Sequence, residues 1–406
     1  MDLIELRKEK LILGMSLNFT LRDEKGIILL AKGNKIASSH QLESIRSRGK
    51  IFVEIDESEE GVRVMMSGII ALNQFGAPIK DFSNYLELDQ EIPEERLARE
   101  TLFKRWDNLE SGLGGLLANV DATADFQEKL YQMARSIERF LLEDSSGSLF
   151  LLFNRAVTYF RGYSVLHSLL CATLAHSLAG IFGLSPKERR SLVCAALTMN
   201  VAMMRLQDTL TMQQGALSQG QRDEVDAHPD AGKAMLLKAG VTDENWLEVV
   251  ARHHAALEGP EELVNWLPVQ RMTKILQTVD RYTAAMSPRK SRTGRTARDS
   301  VRSVVVQAGV AKHDEVGTAL VRMLGLSPPG TFVKLTNGET AVVIRRGVKP
   351  GDALVASVMN RMDEPIVQPR LHDTAREKSI SIESTLTAAS ARVNLNMDVM
   401  QRLLSK

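Results

Sequence analysis

The stretch Leu192-Val193-Cys194-Ala195-Ala196-Leu197-Thr198-Met199-Asn200-Val201-Ala202-Met203-Met204-Arg205-Leu206 sets Leu192, Ala196, Met199, Met203 and Leu206 at steps of four, three, four and three residues. That is the spacing of one helical face, where neighbours recur every three to four positions. Working outward, Leu97, Leu102, Trp106 and Leu109, then Phe126, Leu130, Met133, Ile137 and Leu141, follow steps of three to five. From Pro93 to about Met286 the chain therefore reads as successive amphipathic helices, which bury their apolar faces against one another. The expected fold is mainly α, built on one large helical bundle.

Two smaller β-containing parts flank the bundle. Leu17, Phe19 and Leu21 alternate with polar residues, Asp23-Glu24-Lys25-Gly26 supplies a turn, and Ile27-Ile28-Leu29-Leu30 follows. Ser38 and Gln41 fit the start of a short helix, Gly49 ends it, and Ile51–Ile55 reads as a strand. Beyond the bundle, Thr331–Leu335, Asn337-Gly338 and Ala341–Ile344 predict a hairpin, because Asn-Gly accepts the positive φ angles of a type I′ turn. The expected division is a small β-rich N-terminal domain (1–56), a connector and helical linker (57–145), a helical core (146–326), and a short C-terminal β-hairpin appendix with a tail helix (327–406). Ile380–Leu404 reads as a polar, weakly amphipathic tail. No internal repeat is found.

Composition narrows the function. With 51 Lys+Arg against 50 Asp+Glu, the net charge is +1, and the chain offers no global field for a polyanion. Its densest basic run lacks interleaved aromatics, so no nucleic-acid partner is expected. Cys171 and Cys194 lack a C-x-x-C spacing; no disulfide or thiolate zinc site is expected, and both read as core residues. The start Met1–Arg7 carries charges where a secretory signal needs an apolar run, and no stretch reaches the roughly 18 apolar residues of a membrane span. A cytoplasmic chain without a membrane span is expected.

Histidine positions are more informative than their number. His167 shares a helical stripe with Tyr163, Leu170, Cys171 and Leu174. His253 and His254 lie one heptad after Trp246 and Leu247, which puts both imidazoles on the apolar side. Asp280 falls on a stripe with Leu276 and Thr283, where an unpaired carboxylate would be costly. Singly, each is a core hydrogen-bonding group. Together, imidazoles and a carboxylate converging inside a bundle can ligate zinc, iron or manganese. Arg289, Lys290, Arg292, Arg295 and Arg298 form a basic run able to grip phosphate or to face solvent.

In chain order, His167-Ser168, His228-Pro229-Asp230-Ala231-Gly232, His253-His254, Asp280-Arg281-Tyr282 and Arg289-Lys290-Ser291-Arg292 resemble the HD-GYP family of metal-dependent cyclic di-GMP phosphodiesterases. The resemblance runs over about residues 150–345 and takes in Pro328-Pro329-Gly330 and the Asn337-Gly338 hairpin. The N-terminal part looks like the small β-rich module that often precedes this domain. The resemblance implies an HD-type helical core, with His167, His228, His253, His254 and Asp280 as metal ligands and Arg289 and Arg292 facing substrate phosphate. In such sites the metals acidify a water that attacks the phosphodiester.

The chain departs from the family pattern at several ligands. The eponymous His-Asp falls on Met199 and Asn200, and the following Gly and Lys on Ala202 and Met203. The glutamate one turn before His167 is Tyr163, the second aspartate after Asp280 is Thr283, and the GYP signature is absent. Asn200 cannot form an anionic bridge, and a methionine thioether is a soft ligand for metals that prefer nitrogen and oxygen. No intact catalytic set is expected. The chain reads as an inactive regulatory or interaction module of bacterial cyclic di-GMP signalling, with no metal or one divalent ion (Fe, Mn or Zn) in a partial site. Its expected partner is a signalling protein such as a diguanylate cyclase or an adaptor. A working phosphodiesterase with a reduced site and a non-hydrolysing cyclic di-GMP sensor remain alternatives.

Overall fold

The computed structural model describes residues 3–6, 11, 20–24, 26–30, 36 and 38–54, then 101–159, 162–260, 262–305, 314–349 and 351–404. Residues 57–100 of the expected connector and linker (57–145), among them Leu97, lie outside them, as do Leu17 and Phe19. Contacts divide the chain into residues Met1–Ile92 and Pro93–Lys406. In the first unit β1 (Leu3–Leu6), β2 (Leu21–Asp23), β3 (Ile28–Leu30) and β4 (Ile51–Glu54) form an antiparallel sheet in the order β1-β4-β2-β3. The turn falls where expected, with Gly26 N donating to Asp23 O. The short helix α1 (Ser39–Ser47) is capped by Ser38, whose hydroxyl accepts from Gln41 N at 3.2 Å. Leu11, Leu21, Ile36, Ile45 and Ile51 make the core of this unit.

The second unit carries the helices α2 (Leu102–Ala118), α3 (Phe126–Thr158), α4 (Tyr163–Ala179), α5 (Pro186–Thr198), α6 (Met204–Met212), α7 (Gln219–Lys238), α8 (Glu244–Arg252), α9 (Pro268–Met286), α10 (Ala297–Val305) and α11 (Glu315–Leu324). Helix α4 is the axis of the bundle: Leu166, Leu169, Leu170, Cys171, Leu174 and Leu178 are all buried, so it is apolar on nearly every side and is covered by α3, α5 and α9. Long α3 bends at Asp144, whose φ of −152° and ψ of 91° are non-helical; its Oδ1 accepts from Gly147 N and restarts the helix as a cap does. Trp106 of α2 is seated across this bend by an indole hydrogen bond to Ser148 Oγ of 3.0 Å.

The expected C-terminal hairpin is present as β5 (Phe332–Leu335) and β6 (Thr340–Arg346), but its turn is not the expected type I′: Gly338 is at φ +85° while Asn337 is not at positive φ, and Gly338 N donates to Leu335 O. It is the middle of a larger antiparallel sheet. Adding β7 (Ala353–Met359), β8 (Pro365–Asp373) and β9 (Ile382–Leu386) gives the order β8-β7-β6-β5-β9. Pro365 and Pro369 sit in β8, an edge strand, where a missing N–H is tolerated. Gly330 ties sheet to bundle: its φ is +84°, a Cβ there would lie 2.2 Å from Phe150 O, and its carbonyl accepts from Asn154 Nδ2 at 3.1 Å. The tail corrects the expectation of a polar, weakly amphipathic segment. Short α12 (Ala388–Ala391) is followed by α13 (Met397–Leu404), whose Met400 and Leu404 are buried in the main core. Among the described residues no helix is long and apolar enough to cross a membrane.

Candidate metal centre

The stripe from Leu192 to Leu206 is not one helix. Helix α5 ends at Thr198, Asn200 leaves helical geometry (φ −105°, ψ 14°), and a 3-10 turn, Val201–Met203, leads into α6. A tertiary contact marks the break, because Thr198 Oγ1 accepts from the indole of Trp246 at 2.7 Å while donating to Cys194 O. Leu192, Ala196 and Met199 are buried as the period predicts, but Met203, beyond the break, is only half-buried. Met199 belongs to the core. Asn200 is buried too and makes no side-chain hydrogen bond to a histidine or to Asp280.

Two groups of ligand-bearing side chains lie nearby. The first is His228, His253 and His254, whose ligand atoms lie within 4.8 Å of one another. His228, on α7, directs Nδ1 to the carbonyl of Val225. That carbonyl is free because residue 229 is a proline, which has no N–H to complete the helical hydrogen bond to residue 225. His253, just past the end of α8, directs Nδ1 to Val250 O at 2.6 Å, a last-turn carbonyl that has no helical partner either. Both Nδ1 atoms therefore carry the proton, and both Nε2 atoms present lone pairs.

Those two Nε2 atoms are 3.0 Å apart. With neither holding a proton, this is a contact between two acceptors, which only a cation or an extra proton relieves. Burial, then the neighbouring His254, pushes the pKa of His253 down to about 3, so an extra proton is disfavoured. Burial also lowers that of His228. A divalent metal accepts nitrogen ligands at about 2.0–2.1 Å, so one ion can bind both nitrogens, and the donor set fits such an ion. Carbonyls that orient ligating imidazoles are the usual outer support of such sites. His254 joins the group but is exposed, which corrects the expectation that both imidazoles of the pair face the apolar side: α8 stops at Arg252, and the heptad projection stops with it.

The second group is His167, Cys171 and Asp280. Here His167 Nε2 donates to Asp280 Oδ1 at 2.8 Å, and Nδ1 faces the hydroxyls of Thr283 (3.3 Å) and Tyr163 (3.4 Å). The Tyr163 ring stacks on the imidazole at 5.2 Å. Burial opposes the imidazolium of His167, but Cys171, Tyr163 and Asp280 outweigh burial and raise its pKa. Burial likewise opposes ionisation of Asp280, and His167, His253 and His254 more than offset it, so this carboxylate is electrostatically coupled to both groups. Cys171 is buried in the core as expected. It lies 3.2 Å from Thr283 Oγ1 and 3.7 Å from His167 Nε2, and the available signal was its position four residues after His167 on a helix.

Arg289 and Arg292 are not hydrogen-bonded to either group. They pair through their own backbones as a small β-bridge; Arg292 donates to Ala284 O at 2.9 Å, and the Arg289 guanidinium lies 6.0 Å over the Tyr163 ring.

The chain is similar to a cyclic di-GMP phosphodiesterase of Pseudomonas aeruginosa, with 25% identity over 187 residues. The match spans 45% of this chain and 45% of that protein, less than half of either. No family model matches the chain. No solved structure matches it.

Proposed function

We propose that this chain is a regulatory module of cyclic di-GMP signalling, built on an HD-GYP-type helical core, which holds one divalent ion on His228, His253 and His254 and does not hydrolyse the dinucleotide. The observation that carries this reading is the partition of the ligand residues. His228, His253 and His254 form one set and His167, Cys171 and Asp280 another, with no carboxylate common to both. Two-metal sites hold their ions about 3.5–4 Å apart, where a shared anion offsets the repulsion of the ions. Asn200 is neutral, and Met199 is packed into the core.

The all-imidazole set suits zinc, iron or manganese. A metal bound there would supply Lewis acidity and positive charge. The chain's own contribution is orientation: Val225 and Val250 hold the two rings in the tautomer that offers Nε2. What supports the signalling context is the likeness to a cyclic di-GMP phosphodiesterase. A module of that kind without hydrolysis acts through its surface, on a signalling protein such as a diguanylate cyclase or an adaptor.

The test is metal analysis of the full chain purified without chelator, beside a cyclic di-GMP hydrolysis assay in manganese or iron buffer. One metal per chain and no hydrolysis are expected. Two or more metals per chain, or hydrolysis that His253→Ala abolishes, would overturn the proposal.

A further inference from the structure

A second site lies where the ends of α3, α6 and α9 meet the C-terminal sheet. It is a cavity of about 670 Å³, within the roughly 300–1,000 Å³ typical of small-molecule sites. One wall is apolar, made by Val157, Met212, Met286, Phe332, Leu386 and Ala388. The other is the loop after α9, which contributes Arg289, Lys290, Arg292 and Arg295. Among the described residues no carboxylate forms an ion pair with any of these four cations, and no Asp, Glu, Asn or Gln lines the cavity. Arg289 Nε is buried without a hydrogen-bond partner. Arg292 is destabilised as a cation by burial and by the adjoining Arg289 and Arg295. Four crowded cations and a buried, unpaired donor at the mouth of an apolar cavity call for an anion that the chain does not itself supply.

The wall narrows the ligand. Its six apolar side chains offer an alkyl chain a surface on which to bury hydrocarbon beside the cations. We infer that the cavity binds an anionic amphiphile, an alkyl chain ending in a phosphate, with the chain against Phe332 and Leu386 and the phosphate on Arg289, Arg292 and Arg295. None of the histidines lines the cavity, so this inference stands whether or not the histidine centre holds a metal.

The test is calorimetry on the full chain with monomeric dodecyl phosphate, and in a parallel arm with vesicles of phosphatidylcholine containing phosphatidic acid. One saturable site for dodecyl phosphate is expected. Binding should weaken at least tenfold in the Arg292→Ala/Arg295→Ala variant, whose folding is checked by its urea unfolding midpoint, and at least tenfold for 1-dodecanol or inorganic phosphate. Vesicle binding, if seen, should be displaced by dodecyl phosphate. Equal binding of dodecanol, indifference to the arginine variant, or binding to vesicles alone would overturn the inference. So would cyclic di-GMP binding that dodecyl phosphate displaces.

Discussion

His228 and His167 are both buried imidazoles on helices of one bundle, and their surroundings give them opposite chemistry. His228 spends its Nδ1 proton on a backbone carbonyl and meets His253 lone pair to lone pair at 3.0 Å. His167 spends its Nε2 proton on Asp280 and takes hydroxyls on the other side. The first arrangement sets two acceptors against each other, and the second pairs a donor with an acceptor. Residue type alone therefore does not make a metal ligand; the partner that fixes the tautomer decides which nitrogen is offered and whether it is free.

The contrast breaks or sharpens under substitution. The largest expected effect is on metal-linked stability. Zinc at a thousandfold excess over its Kd adds about 4 kcal/mol to the folded state. The gain in thermal stability over chelator-treated protein should vanish in His253→Ala and persist in His167→Ala. If both variants lose it equally, the two groups work as one and the contrast fails. Next in size, Asp280→Ala leaves the buried His167 without its charged acceptor and should cost about 2–3 kcal/mol in urea unfolding, with about one metal per chain retained.

Pro229→Ala separates the two forces at His228. The new N–H competes for the Val225 carbonyl, so metal affinity should fall about tenfold while the metal-free protein becomes more stable to urea, since proline opposes a helix interior. A variant that kept full affinity would show that the carbonyl does not set the tautomer. The smallest effect is expected for Thr283→Val, about 1 kcal/mol in the same unfolding assay, without change in metal content.

Much of the fold was legible because its signals are local. The helical period around Trp106, Leu130 and Ile137, the cap at Ser38 and the Asn337-Gly338 turn each depend on a few neighbouring residues, and each is found where expected. The less visible elements depend on distant contacts. Strand β8 is half-exposed at a sheet edge and carries two prolines, so its alternation is weak. Helix α13 has its buried face decided by the core it docks on. In the site, the order of His167, His228, His253, His254 and Asp280 was visible, but the exposure of His254 followed from where α8 stops, and the place of Cys171 beside Thr283 joins residues 112 apart in sequence.

The sequence by itself determined the apolar period of the helices around Trp106, Leu130 and Ile137 and the chain order of His167, His228, His253, His254 and Asp280, because these are matters of spacing. Only the tertiary structure decided that the Nε2 atoms of His228 and His253, 25 residues apart, meet face to face while His167 turns to Asp280. Those pairings are set by how α7, α8, α4 and α9 pack. Helical packing can place the same imidazole against a carboxylate or against another lone pair without changing its position on its own helix.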